Sequence, residues 1–292
     1  MAPSVVVAGG GTAGHIEPAL AVGEVLRDSH DVDVVALGTE RGLETSIVPA
    51  RGFELRLIDP VPIPRSKPWL LAGVPFKLGK SVSQTRRILK DTGAQAVFGT
   101  GGYVAGPAYL AARSLGIPFY VLETNALAGM ANKLGVRLGG TGFNAVANSG
   151  MPGDVVGIPV RPGVGVDPDG AKAERGTKMW NLDPDRKTLL VTGGSQGAVR
   201  INEALAGAVE RLVANGFQVL HAYGRKNDAP AAHEHYTAVP YIDDMEAAYA
   251  VADMVVCRSG AMTVAENSAA SLPAIYVPLP HGNGEQGLNS AH

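Results

Sequence analysis

Cysteine is almost missing from this chain. A single thiol, Cys257, among 292 residues excludes an internal disulfide and fits a reducing compartment. A basic excess is missing too. Lys+Arg number 25 against 27 Asp+Glu, a net charge of −2, which excludes the electrostatic footprint of a nucleic-acid binder. No apolar run reaches the roughly 18 residues that span a bilayer, and no basic region with a cleavage site precedes the first strand. The chain therefore reads as soluble and cytoplasmic, without a signal peptide. What it has in quantity is apolar side chain, 46%, enough for sizeable cores at a length that predicts two domains.

Several chemistries are also disfavoured by what is not there. His233 and His235 flank Glu234, not the His-x-x-x-His spacing that puts two imidazoles on one helical face, so no metal site is expected. Ser195 in Gly193-Gly194-Ser195-Gln196-Gly197 lacks the G-x-S-x-G elbow of serine hydrolases. Gly9, Gly11 and Gly14 match G-x-G-x-x-G. The next strand, however, ends in Leu37-Gly38-Thr39 without the acidic residue that takes a ribose, which disfavours an NAD(P) oxidoreductase.

What remains is a repeated β-loop-α pattern. A β-branched run at 4–8 predicts a strand covered on both faces, followed by a glycine turn and a helix facing inward through Ala21, Val25 and Leu26. Strands are expected at 32–37, 53–58, 96–98 and 117–122, with a second glycine loop at Gly99 to Tyr103 and Glu123-Thr124-Asn125 ending the last strand. Between them, 61–80 mixes Trp69 and Phe76 with Arg65 and Lys67 and carries no acid, a pattern open to two readings: a seat on anionic lipid or core contacts of a loop and helix. The Gly/Pro/Asp-rich stretch 163–170 predicts a linker. The pattern then restarts with a strand at 188–191 and a glycine turn. A helix whose Ile201, Leu205, Val209, Leu212 and Val213 share one face comes next, then strands at 217–223, 239–242, 253–257 and 274–279. The expected fold is α/β: two Rossmann-like domains, 1–162 and 163–292, with parallel sheets facing across a cleft that is the default ligand site.

The stretch from Cys257 to Asn289 carries most of the chemistry. A turn at Arg258-Ser259-Gly260 and a helix expected to open near Thr263 aim N–H groups where a phosphate binds readily. Glu266, with Gln286 and Asn289 from the next loop, suits a sugar or ribose; Thr263-x-x-Glu266 also reads as a capping box. His15 after the first glycine turn is a candidate general base at the mouth of the first sheet, or a helix-start hydrogen-bonder.

Six motifs in order carry a resemblance across the chain: Gly-Gly-Gly-Thr-Ala-Gly-His (9–15), Gly-Gly-Tyr-Val-Ala-Gly-Pro (101–107), Gly-Ile-Pro-Val-Arg (157–161), Gly-Gly-Ser-Gln-Gly-Ala (193–198), Cys-Arg-Ser-Gly-Ala-Met-Thr-Val-Ala-Glu (257–266) and Pro-Leu-Pro-His-Gly-Asn-Gly-Glu-Gln-x-x-Asn (278–289). The chain resembles the MurG family of N-acetylglucosaminyltransferases of peptidoglycan synthesis. The resemblance implies a GT-B fold, a second domain shorter than the family's, and inverting transfer of GlcNAc from UDP-GlcNAc to the MurNAc 4-hydroxyl of lipid I, giving lipid II. It implies no cofactor and no metal, and a peripheral place on the anionic cytoplasmic face of the bacterial plasma membrane. The first domain would meet acceptor and membrane, the second UDP-GlcNAc. By resemblance Thr12, Ala13, Gly14 and Asn125 face the donor sugar, and Gly101, Gly102, Tyr103 and Glu123 lie on the acceptor side. Arg161, Ser195 and the turn of Ala261, Met262, Thr263, Val264, Ala265 and Glu266 hold diphosphate and ribose, Ile242 lies by the uracil and Gln286 reaches the sugar. Leu122 stands where the family usually has His. A weak or inactive UDP-sugar-binding fragment of such an enzyme is the alternative.

Overall fold

The structure is a computed structural model and describes residues 2–61, 73–161, 163–194, 197–279 and 284–291. The chain divides into two compact units, Met1–Arg161 and Pro162–His292.

The first unit runs β1 (Ser4–Gly9), α1 (Ala13–His30), β2 (Asp33–Gly38), α2 (Glu44–Ala50), β3 (Glu54–Leu57), α3 (Val74–Asp91), β4 (Ala94–Gly101), α4 (Ala105–Leu115), β5 (Phe119–Glu123), α5 (Met130–Arg137), β6 (Thr141–Asn144) and β7 (Asp154–Val155). Its strands are all parallel, in the order β3-β2-β1-β4-β5-β6-β7. The β-branched run of β1 explains its central place. Val6 and Ala8 enter one core with Leu37 and Val97, whereas Val7 enters the opposite core with Val34 and Leu20. Successive strand side chains point to opposite faces, so a strand covered on both sides is apolar throughout. Strand order reverses at β1, and the helices after β1 and β4 pack on opposite faces: Ile16 of α1 in one core, Ala108 of α4 in the other. The carboxyl ends of such a pair are the usual ligand position in parallel sheets.

The second unit runs α6 (Ala171–Trp180), β8 (Lys187–Thr192), α7 (Val199–Ala206), α8 (Val209–Ala214), β9 (Phe217–Ala222), β10 (Tyr236–Val239), α9 (Met245–Val251), β11 (Met254–Cys257), α10 (Ala261–Ala269), β12 (Ala274–Tyr276) and α11 (Glu285–Asn289). Its five parallel strands are ordered β10-β9-β8-β11-β12, with the reversal at β8. Leu190, Leu220 and Val255 line one core with Trp180; Leu189, Val191 and Val219 line the other with Ile201.

Five local expectations are corrected. The strand expected at 239–242 ends at Val239, because Pro240 has no amide to give a ladder. The single helix expected through Val213 is two, α7 and α8, parted where Gly207 ends the first; the five apolar residues still share one core. The stretch 163–170 is not a loose linker. Val164 is buried in the second core and Asp167 accepts the Lys172 and Ala173 N–H groups at 3.0 and 2.9 Å, starting α6. Helix α1 buries Ile16, Ala19, Leu20 and Gly23 and leaves Val25 exposed. Of the basic, apolar segment, Arg65, Lys67 and Trp69 lie outside the described residues. Phe76, in the first turn of α3, is 81% exposed and so is no core contact.

Buried His221 adds a pH dependence to stability. His221 on β9 has Nδ1 2.7 Å from Tyr236 Oη and Nε2 3.0 Å from Asn202 Oδ1. The Asn202 amide nitrogen donates to the Tyr223 carbonyl, so Oδ1 accepts and Nε2 carries the proton. Burial pushes the imidazole pKa down to about 4. The unfolded chain then takes up the proton first, near pH 6.5. The stabilisation is complete above that value and is lost as pH falls towards 4, by up to about 3 kcal/mol. Thermal melts between pH 7 and 4 should fall accordingly, and His221→Gln should reduce the slope, leaving the share of His15, whose pKa burial also lowers. An identical slope in the variant would place the titration elsewhere.

Candidate functional site

Two glycine loops meet backbone to backbone at the reversal of the first sheet. The Gly10 N–H reaches the Gly101 carbonyl at 3.4 Å. A Cβ on Gly102, whose φ is +83°, would stand 2.0 Å from the Gly10 oxygen, so both conformation and contact require glycine there. Tyr103 is exposed and its ring lies beside Gly11. Thr12 precedes α1 and is exposed, with no side-chain capping bond; Ala13 and Gly14 are half-buried. The Thr100 hydroxyl donates to the His15 carbonyl at 2.6 Å, pinning the first turn of α1 to β4.

His15 stands in that turn with its ring over Gly101, where a Cβ would be 3.0 Å from Nδ1. Nδ1 is buried and has no hydrogen-bond partner among the described residues. Burial draws the imidazole below its ordinary pKa, against the opposing charge of Glu123 and the Thr100 backbone. His15 is therefore neutral at pH 7, the form that accepts a proton.

Glu123 is not an open acceptor-side contact. It is buried, and its carboxylate accepts the Asn125 N–H (2.9 Å), the Asn125 side-chain amide (3.1 Å), the Gly129 N–H (2.9 Å) and the Asn132 side-chain amide (2.9 Å). Those four bonds fill its acceptor sites, so it holds the loop that carries Asn125. Leu122 beside it is buried. Arg161, last of the first unit, faces Glu17 of α1 at 4.0 Å, and Arg51 bridges Glu17 and Glu24 at 2.9 and 2.7 Å. Glu44 went unnoticed in the sequence: its buried carboxylate joins the loops after β1 and β2. The only signal was a cluster of glycines, 38 and 42, around it.

In the second unit, α10 opens at Ala261 after Gly260, with no side-chain cap. Thr263 is the third helical residue, not the cap, so the capping-box reading fails. Glu266 is instead buried in the second turn and accepts the Tyr249 hydroxyl at 2.8 Å. The preceding turn is tied to the segment behind it. Arg258 donates to the Val277 and Pro278 carbonyls (3.0 and 3.1 Å), Ser259 to the Gln286 carbonyl (2.8 Å), and Asn289 to the Ser259 carbonyl (3.2 Å). Gln286 accepts the Leu279 N–H at 2.9 Å. Gln286 and Asn289 are thereby brought to the turn that leads into α10. Ala261 and Met262 are buried; Thr263, Val264 and Ala265 are half-buried. Ile242 is buried, its side chain packed in the second core. Ser195 lies outside the described residues. Among those described, no cluster of His, Cys, Asp and Glu is grouped to hold a metal.

This unit offers an uncapped helix start of nine residues and a buried carboxylate behind it, a combination suited to a phosphate ester of a hydroxylated ligand.

Comparison with known proteins gives these features a context. Residues 5–139 match the glycosyltransferase family 28 N-terminal domain and residues 188–292 the family's C-terminal domain. The chain is 66% identical over 288 residues to the UDP-N-acetylglucosamine–N-acetylmuramyl-(pentapeptide) pyrophosphoryl-undecaprenol N-acetylglucosamine transferase of Corynebacterium efficiens, covering 99% of this chain and 80% of that one. It is 53% identical over 305 residues to the Rhodococcus opacus protein of the same name, covering 98% and 80%. Among solved structures it is similar to Acinetobacter baumannii MurG, with TM-score 0.71 and 31% identity over 99% of this chain and 82% of that chain.

The Glu123 bracket is open to test. Glu123→Gln turns an acceptor into an amide facing N–H donors, which should cost about 1–3 kcal/mol in urea unfolding. It should also lower the His15 pKa further, because the Glu123 charge raises it. Unchanged stability together with an unmoved His15 titration, followed by NMR, would reject the bracket.

Proposed function

The chain belongs to glycosyltransferase family 28, and on that premise we propose that it converts lipid I to lipid II. It is a glycosyltransferase of GT-B architecture, with two parallel-sheet α/β domains. In the proposed reaction N-acetylglucosamine moves from UDP-N-acetylglucosamine to N-acetylmuramyl-pentapeptide pyrophosphoryl-undecaprenol. The observation that carries this reading is the high identity, over nearly the whole chain, with actinobacterial transferases named for it.

His15 takes the proton from the MurNAc 4-hydroxyl as its oxygen attacks the anomeric carbon of the donor. The bond from that carbon to the UDP oxygen breaks with inversion. The start of α10 faces the charge growing on the departing diphosphate, with Ser195 and Arg161 as further holders. Glu266, held by Tyr249, takes the ribose; Ile242 lies by the uracil; Gln286, Asn125 and the Thr12 to Gly14 turn address the donor sugar. Gly101, Gly102 and Tyr103 serve the acceptor side. The acceptor and membrane fall to 1–162 and the donor to 163–292.

No helix among the described residues is long and apolar enough to cross a membrane. The polyprenyl acceptor therefore calls for peripheral seating on the cytoplasmic face of the plasma membrane. Exposed Phe76 and Lys77 on α3, with Arg65, Lys67 and Trp69, supply the apolar and basic groups for it.

Incubation with UDP-GlcNAc and a lipid I analogue should release UDP in step with a disaccharide product; no UDP release rejects the reading. His15→Ala should lower kcat about 10²–10⁴-fold with donor KM nearly unchanged. In the unaltered protein the acid limb of the pH profile should lie below 6.5, where burial puts the imidazole, and it should vanish in the variant. Replacing Arg65, Lys67, Trp69 and Phe76 together by Ala should abolish sedimentation with phosphatidylglycerol vesicles; undiminished sedimentation sinks the membrane assignment.

A further inference from the structure

Glu44 opens α2, outside every residue given a part above, yet its carboxylate is fully buried. Oε2 accepts the Gly11 N–H at 3.1 Å; Oε1 accepts the Thr39 N–H at 2.8 Å and the Thr39 hydroxyl at 3.0 Å. All three donors are neutral, and none belongs to the first turn of its own helix. A carboxylate that merely favoured a helix start would bond amides there. This one reaches five residues back to the end of β2, and 33 residues back to the turn after β1.

The surrounding backbone is cut to fit that carboxylate. A Cβ on Gly42 would meet only Glu44 among its three nearest atoms, the closest at 2.0 Å; a Cβ on Gly38 would stand 2.4 Å from Glu44 Cγ. Neither glycine has positive φ, so conformation does not explain them, whereas room for the side chain does. Gly11, which donates to Glu44, does adopt φ +88°. Its N–H bond to a buried charge holds it there, one residue before Thr12 and the helix start that carries His15.

We infer that Glu44 is a positioning residue for the transfer: a buried carboxylate that fixes the turn after β1, and through it the placement of Thr12 to His15. The inference rests on the proposed reaction. Glu44 touches no substrate; it acts through the Gly11 amide. Removing its charge disturbs the acceptor and base side of the reaction and leaves the UDP contacts of the second unit as they were.

Glu44→Gln keeps the shape but must turn an NH2 towards either Gly11 or Thr39, setting donor against donor. It should lower kcat about 10- to 100-fold, the effect of losing a hydrogen bond to a charged group. UDP affinity, measured by calorimetry, should stay within twofold. Gly42→Ala, which displaces the carboxylate without altering it, should reproduce the loss. Thr39→Val, which removes only the hydroxyl bond, should stay within about threefold of the unaltered protein. Amide hydrogen exchange of the intact chain should quicken at 9–14 in Glu44→Gln while 4–8 remains protected. Turnover of Glu44→Gln within threefold of the unaltered protein overturns the inference. So does UDP affinity falling in step with kcat, or exchange quickening equally along β1, because each reports general loosening. If the unaltered chain transfers no GlcNAc, the proposed reaction fails, and the exchange experiment still decides whether Glu44 holds the turn.

Discussion

A parallel strand that ends in a turn leaves backbone amides without ladder partners, and in the first unit two buried carboxylates take them up. Glu44 binds the amides of Gly11 and Thr39; Glu123 binds those of Asn125 and Gly129. A carboxylate withdrawn from water is tolerated only when its acceptor sites are filled. The loops after β1, β2 and β5 therefore cannot shift without uncovering a charge. That constraint sets the remainder: glycines 38 and 42 leave room for one carboxylate, and glycines 10 and 102 let two turns touch at backbone distance. Rigid turns of this kind hold reacting groups in place before a substrate arrives.

The second unit has the same strand reversal and fastens its turn differently. Its turn after β11 is fastened through carbonyls, by Arg258, Ser259 and Asn289, rather than through amides. Among the described residues, no side chain caps the amides at the start of α10. Each unit thus has a helix whose N-cap residue gives no side-chain cap, α1 in the first and α10 in the second. A helix start of that kind favours an anion.

The architecture was legible because β1 carries three consecutive valines and each glycine turn follows an apolar run, both local signals. The arrival of Gln286 and Asn289 from the segment after the last strand was read from the order of the elements. Other features depend on partners far along the chain. Nothing near Glu44 in sequence announces Gly11. Glu266 read equally well as a cap until the structure showed the helix starting two residues before Thr263 and Tyr249 arriving from α9. Val25 satisfied a helical stripe, yet the face of α1 is set by close packing at Gly23 against Val34 and Phe53. Pattern fixes which elements form; the tie points of the site belong to tertiary packing.

The relation of His15 to Glu123 differs from the orienting hydrogen bond of a catalytic triad, in which the carboxylate grips the imidazole. Here all four bonds of the Glu123 carboxylate go to Asn125, Gly129 and Asn132, and His15 Nδ1 has no partner among the described residues. The carboxylate reaches the ring as a fixed charge through space. In the reaction proposed above, burial would keep the imidazole neutral beforehand, and the nearby negative charge would favour the imidazolium formed once a proton is taken. Orientation comes from elsewhere, from the Thr100 bond to the His15 carbonyl and the seat of the ring over Gly101. Charge and geometry, which one residue supplies in a triad, are divided here among three, and each depends on a turn that a buried carboxylate holds in place.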